Sequence, residues 1–291
     1  MSSKVIHFNE TIQTDGNKGI NIRDIRDIDW NAVCREIRNK KSFPTSNADF
    51  WDKRAPSFAR NASKSDYINK LFKFIEVKLN WTVLDVGCAA GTLAIPLAGK
   101  VKAITGMDIS SAMLEMLEER AVQSGIKNIR TLCGRWEDDW DSIGVGEHDV
   151  AIASRSLITL DFRSALEKLN KAARRRVYIS TIVGDGPLDR RIFDALGREL
   201  NAGPDYIYIY NLLYGMGINA SVDFISYEER NSYESPEEAF RILKCRFENM
   251  SFHEENILRE YLDKHLICRG DKWQMSYLRE IKWALIWWKK G

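Results

Sequence analysis

Apolar residues recur at two different spacings along the chain. Between residues 65 and 79 the spacing is helical. Ile68, Leu71, Phe72, Ile75 and Leu79 share one face, which predicts a helix over Ser65–Leu79. A shorter helix is expected around Asp29–Asn39. From Thr82 the pattern becomes an alternation. Strands are predicted at Val83–Val86, Ala103–Asp108, Ile129–Cys133, Asp149–Ala153 and Val177–Val183. Helices are predicted at Thr92–Ala98, Ser111–Gln123 and Asp161–Arg175, with Gly125 ending the second. Such an alternation gives a mostly parallel sheet with helices on both faces, a doubly wound α/β fold.

Beyond the fifth strand the rhythm loosens. Leu188–Leu200 reads as a helix, Asp205–Tyr214 as helix or strand, and Ser221–Tyr227 as a sixth strand. Ser235 with Glu238, reinforced by Pro236, and Ser251 with Glu254 are capping signals for two further helices. Ile281–Trp288 is apolar on both faces, which suits a strand inside a sheet. The expected organisation is an N-terminal arm or cap over 1–62. A single domain over 63–291 follows, with a helical insertion at about 235–275.

Composition narrows the classes. The 291 residues are 44% hydrophobic and 29% charged, which excludes a wholly disordered chain. A net charge of +2 offers no global field for nucleic acid or an anionic membrane. No apolar run approaches the ~20 residues of a membrane helix. The N-terminal Met-Ser-Ser-Lys-Val-Ile-His-Phe has no apolar signal segment. Five scattered cysteines without a C-x-x-C pair suggest neither disulfides nor zinc, and a reducing cytoplasm is expected. The four histidines, His7 in the arm among them, lack metal spacing, and His148 is expected at the surface. The tryptophans read as core, except Trp273 in a polar loop, a candidate ligand contact.

The chemistry concentrates in Val83-Leu84-Asp85-Val86-Gly87-Cys88-Ala89-Ala90-Gly91-Thr92. A strand runs into a glycine-containing turn and then a helix, the arrangement that lets backbone approach a nucleotide. Asp108 ends the next strand, where an acid can accept hydrogen bonds from ribose hydroxyls. Asp85 opposes a dinucleotide. Like charges ~6 Å apart at an effective dielectric of ~20 repel by about 3 kcal/mol. Ala89 and Thr92 also replace the second and third fingerprint glycines. A nucleoside carrying positive charge and no phosphate fits better.

These residues, with Gly106-Met107-Asp108-Ile109-Ser110-Ser111-Ala112-Met113-Leu114, resemble the class I S-adenosylmethionine-dependent methyltransferases. The likeness is nearest to the ubiquinone/menaquinone-biosynthesis branch and spans about Phe50–Val183. It implies a seven-stranded Rossmann-like sheet whose last strand is antiparallel. It also implies S-adenosyl-L-methionine as cofactor, contacted by Asp85, Gly87, Cys88, Ala89, Gly91, Asp108, Ile109, Met113, Trp136, Glu137 and Ser154. Two departures stand out. Ala89 occupies the place of the family's middle glycine. Gly134-Arg135-Trp136-Glu137-Asp138 replaces Gly-Asp-Ala-Glu-Asp, so Glu137 is the substitute adenine acid and Trp136 a flank for the ring. Phe50-Trp51-Asp52-Lys53-Arg54-Ala55-Pro56-Ser57-Phe58 resembles the family's Trp-Asp-x-x-Ala-x-x-Tyr segment, which lids the cofactor in relatives. Its other reading is an ordinary packing helix.

The acceptor side is less determined. Ala153-Ser154-Arg155-Ser156-Leu157 lacks the Asn/Asp-Pro-Pro-aromatic motif of base-directed enzymes. Arg155 is either a site for an anionic acceptor or a structural ion pair. Asp185 is either a catalytic base or a turn residue. Tyr206, Tyr210 and Tyr214 either wall an acceptor pocket or pack as core. The function expected is in-line methyl transfer to a small molecule, with arm and insertion capping the acceptor and no nucleic-acid or membrane partner. The assembly expected is a monomer or homodimer. The alternatives are an RNA or protein methyltransferase, a nicotinamide oxidoreductase and a non-catalytic S-adenosylmethionine sensor.

Overall fold

The computed structural model describes residues 25–40, 47–56, 66–247 and 249–290. His7, Ser57, Phe58 and Ser65 lie outside the described residues. In chain order the helices are α1 (Trp30–Asn39), α2 (Ala48–Asp52), α3 (Asp66–Leu71), α4 (Ala94–Leu97), α5 (Ser111–Gln123), α6 (Phe162–Ala172), α7 (Arg190–Ala195), α8 (Tyr206–Gly215), α9 (Pro236–Lys244) and α10 (Phe252–His265). The strands are β1 (Thr82–Val86), β2 (Ala103–Asp108), β3 (Ile129–Cys133), β4 (His148–Ser154), β5 (Ala173–Ile182), β6 (Ser221–Glu229), β7 (Ser232–Tyr233), β8 (Leu266–Arg269), β9 (Lys272–Met275) and β10 (Arg279–Lys289).

One sheet has the order β3-β2-β1-β4-β5-β10-β6. β10 runs antiparallel to both neighbours, as the family resemblance implies, and its two apolar faces suit its place inside the sheet. Alternation along each strand feeds two cores. Leu84 and Val86 of β1 join α1, α6 and α8 on one face. Val83 joins α3, α4 and α5 on the other. Strand β10 does the same, with Ile286 and Trp288 on the first face and Ile281, Trp283 and Leu285 on the second. The strand order reverses between β1 and β4, which opens a crevice at their C-terminal ends.

Several boundaries differ from expectation. The helix predicted to reach Leu79 ends at Leu71. Turns from Lys73 N–H to Lys70 and from Phe74 N–H to Leu71 redirect the chain. Glu76 N–H then donates to Tyr178 Oη at 3.0 Å, and Leu79 is left exposed. The helix predicted to reach Arg175 stops at Ala172. Arg174 and Arg175 belong to β5, where both reach Asp149. The helix predicted over Leu188–Leu200 closes at Ala195, ended by Gly197 at φ +64°. Residues 205–214 resolve to helix, capped by Asp205. His148 is buried, not superficial, and its Nε2 lies 2.8 Å from Thr105 Oγ1.

The insertion between β6 and β10 is not purely helical. Besides α9 and α10 it holds a small antiparallel sheet, β7-β9-β8. Trp273 is therefore a strand residue, packed against the insertion's own core, which α7 also joins. At the seam, Arg279 donates to Glu229 (2.6 Å) and to the Pro187 carbonyl (3.0 Å). Buried Asp189 accepts from Tyr277 Oη at 2.8 Å.

Candidate active site

A cavity of about 780 Å³ opens over the ends of β1, β2 and β4, within the ~300–1,000 Å³ range of small-ligand sites. Its floor is the turn after β1. Gly87 has φ +70°, and its N–H donates to the Met107 carbonyl at 2.7 Å, folding the turn back over β2. A Cβ at Gly87 would meet Ser156 Cβ at 2.2 Å, so only glycine fits under the loop that follows β4. Ser156 Oγ donates to the Val86 carbonyl and fastens that loop. Ala89 stands at φ +45°, in the left-handed region that costs a non-glycine residue ~1–2 kcal/mol. Its N–H donates to Asp108 Oδ2 at 2.8 Å, and the Ser110 N–H donates to Asp108 Oδ1 at 2.9 Å.

The structure brings most of the predicted contacts together. Asp85, Gly87, Cys88, Ala89, Asp108, Ile109, Met113, Trp136, Glu137, Ser154 and Arg155 all line the cavity. Trp136 is held by an indole bond to the Ser156 carbonyl (2.8 Å), and Glu137 accepts from Thr159 Oγ1 (2.9 Å). Two predicted residues do not line it. A Cβ at Gly91 would strike Leu117 Cδ1 at 2.3 Å, so this glycine serves helix packing behind the turn. Asp185 lies in the turn before α7, ion-paired with Arg190. The tyrosine stripe is also elsewhere. Tyr206 and Tyr210 pack on the sheet core and Tyr214 is exposed.

Reading the sequence alone missed part of the wall. Arg38 and Asn39 at the end of α1, with Trp51 of α2, also line the cavity. Helix α1 is tied down by Asn31 to Asp161 (3.1 Å) and by Arg35 Nε to the Leu160 carbonyl (3.3 Å). Asp52 of α2 accepts from Ser110 Oγ at 2.5 Å and from the Ala112 N–H at 3.3 Å. The Trp-Asp pair was the signal for α2, whereas nothing in the local pattern marked Arg38. No residue of the insertion lines the cavity among the described residues, contrary to its expected capping role.

The electrostatics are one-sided at the β1–β2 end. Asp85 is buried, and burial together with neighbouring Asp108 pushes its carboxyl up to about 7. Burial also raises Asp108, against the backbone N–H groups that favour its charged form. Asp85 Oδ2 and Thr92 Oγ1 have no hydrogen-bond partner among the described residues. A buried carboxylate oxygen without a donor is a strained arrangement that a cationic ligand relieves. The residues therefore fit S-adenosylmethionine, an adenosine bearing an ammonium and a sulfonium. Among the described residues, no group of His, Cys, Asp or Glu is arranged to hold a metal ion.

Comparison with known proteins agrees. Residues 83–177 match the family model described as a methyltransferase domain. An uncharacterized protein of Haemophilus influenzae is 34% identical over 241 residues, 82% of this chain and 88% of its own length. An uncharacterized RNA methyltransferase of Streptococcus agalactiae is 35% identical over only 66 residues, 23% of this chain and 15% of its own. A Bacillus halodurans crystal structure bearing a methyltransferase name aligns with TM-score 0.51 at 13% identity, over 77% of this chain and 98% of that one, a likeness of fold. These matches do not single out the ubiquinone/menaquinone branch. With its sheet order, its Asp85–Gly91 turn and Asp108, the chain belongs to the class I S-adenosylmethionine-dependent methyltransferases.

Proposed function

We propose that this methyltransferase acts on a small-molecule acceptor held in the cavity beside the cofactor, in a reducing cytoplasmic setting. The observation that carries this reading is the wall. Arg38, Asn39 and Trp51 from the N-terminal helices line the crevice that β1, β2 and β4 open. Such a wall suits a compact acceptor better than a polymer. The similarity to the Streptococcus agalactiae RNA methyltransferase is confined to 66 residues, 15% of that protein's length.

When bound, S-adenosylmethionine supplies an electrophilic methyl group. The chain's own task is then alignment. Asp85 and the Gly87–Ala89 turn hold the ammonium end, and Asp108 accepts from the ribose hydroxyls. Trp136 flanks the adenine, with Glu137 beside it. Ser154, at the end of β4, stays with the cofactor, and Arg155 beside it faces the acceptor. Asp185 has no part in this reading, because its carboxylate is committed to Arg190.

Calorimetric titration with S-adenosylhomocysteine, with NAD as control, tests the cofactor half. Micromolar binding of the first alone is expected. Asp108→Ala is expected to weaken it by roughly 1–3 kcal/mol, the loss of hydrogen bonds to a charged acceptor. Unchanged affinity in a folded variant would remove Asp108 from the ribose. The acceptor half is tested with labelled S-adenosylmethionine, comparing label transfer to a metabolite fraction with transfer to bulk tRNA. Label appearing only in RNA would overturn the small-molecule reading.

A further inference from the structure

Arg155 is the residue whose placement the cofactor leaves unexplained. It follows β4 directly, lines the cavity, and adopts φ +59°, a left-handed backbone that L side chains rarely take. Its N–H is held by Ser180, by the carbonyl at 3.1 Å and by Oγ at 2.9 Å. The guanidinium carbon lies 4.1 Å from the centroid of Tyr67 and 5.6 Å from that of Trp283. Both rings are buried and meet edge to face at 6.2 Å. Tyr67 is itself fixed by Ser154 Oγ (2.9 Å) and Ser180 Oγ (2.6 Å).

The guanidinium is thus rigidly positioned, yet no carboxylate lies within ion-pair distance of it among the described residues, and it makes no side-chain hydrogen bond there. The structural ion pair considered from the sequence is absent among those residues. Stacking on an aromatic face attracts a cation but does not consume its N–H donors, which lie in the guanidinium plane. A strained backbone that delivers an unpaired, fixed arginine to a cavity is the arrangement expected of a binding group. The cavity is also polarised. Asp85 and Asp108 lie at the ends of β1 and β2, and Arg155 at the end of β4, the other neighbour of β1. An anionic group is repelled from the first end and attracted to the second, which orients the molecule that carries it.

We propose that the acceptor carries an anionic group, a carboxylate or a phosphate monoester, which pairs with the Arg155 guanidinium on its Tyr67–Trp283 platform. The inference rests on the small-molecule reading above. In the transfer itself the acceptor's nucleophilic atom forms a bond to the methyl carbon. The carbon–sulfur bond breaks with its electron pair left on sulfur. Any proton on the nucleophile departs to solvent. Arg155 takes no part in that exchange. It is a binding and positioning residue for the acceptor.

The test uses the full chain saturated with S-adenosylhomocysteine. Benzoate and phenyl phosphate are titrated against benzamide, their neutral counterpart, by ligand-observed NMR. At least one anion is expected to bind tenfold or more tightly than benzamide. Arg155→Gln is expected to abolish that preference, and Arg155→Lys to restore part of it. Both variants are expected to keep S-adenosylhomocysteine affinity within twofold, which also certifies their folding. Equal binding of anions and benzamide overturns the proposal, as does an anion preference that survives Arg155→Gln. Failure of every small probe together with tight binding of tRNA would instead bring down the small-molecule reading beneath it.

Discussion

Asp85 sets the pH behaviour of the site. Its folded pKa of about 7 lies above the ordinary 3.8. Between those values the folded chain holds more protons than the unfolded one, so this residue's effect on stability worsens as pH rises through that window. Asp85→Asn is therefore expected to raise the melting temperature of the ligand-free protein at pH ~8, by roughly 2–4 °C per kcal/mol relieved. The same variant at pH ~5 should differ little in charge from the parent. Binding reverses the sign. An ammonium beside Asp85 favours the carboxylate, so S-adenosylhomocysteine affinity should rise from pH ~6 to ~8. A flat profile in calorimetry would count against that contact. Ala89 gives a second test. Left-handed backbone costs alanine ~1–2 kcal/mol, and glycine gives back ~0.5–1 kcal/mol in unfolded-state entropy. Ala89→Gly should melt no lower than the parent, and a clear loss of stability would mean that the alanine methyl packs usefully.

Elements were legible where the local pattern and the packing agree. β2, β3 and α5 were predicted to the residue, because a run of uniform periodicity ends at a strong signal: Asp108 for β2, and Ser110 and Gly125 around α5. Helical spacing over 66–79 misled, because the same apolar residues can enter a core from consecutive turns and an extended segment. Trp273 and the β8–β9 hairpin were missed for a different reason. Arg269-Gly270-Asp271-Lys272 reads as loop, and its strands pair only within the small sheet. The site followed the same rule. The contiguous turn at Asp85–Gly91 was readable, whereas Arg38 reaches the cavity only through the docking of α1. Helix α2 is latched to the start of α5 by one carboxylate and packs Trp51 there. Asp52→Ala removes the partner of both Ser110 Oγ and the Ala112 N–H. Faster amide exchange at 48–56 is expected, with S-adenosylhomocysteine binding weakened about tenfold. Unaltered exchange there would show that Trp51 and its neighbours dock without the latch.

At the scale of the whole molecule two bodies of core meet at Arg279. One follows the sheet and the other fills the insertion. Arg279 and Asp189 are both buried at the seam, with their nitrogen and oxygen 3.9 Å apart. Arg279→Met would take the buried cation from Asp189 and leave it the half-exposed Arg191 at 4.0 Å, at a cost below the ~3–5 kcal/mol of stranding a buried charge. Calorimetric scanning should show the insertion melting earlier than the sheet, with S-adenosylhomocysteine binding intact. A single unchanged transition would mean that Tyr277 and Arg191, whose guanidinium lies 4.0 Å from Asp189, satisfy it between them. The insertion's points of departure and return also carry a consequence. Glu229 and Arg279 are register partners on adjacent antiparallel strands. The chain leaves the sheet and rejoins it at a single rung, so residues 230–278 occupy the place of an ordinary hairpin turn. To the sheet they are interchangeable cargo: a descendant could trade this segment for another, or shed it and cover α7 with polar residues, while the cavity over β1, β2 and β4, which no described residue of 230–278 lines, stayed the same.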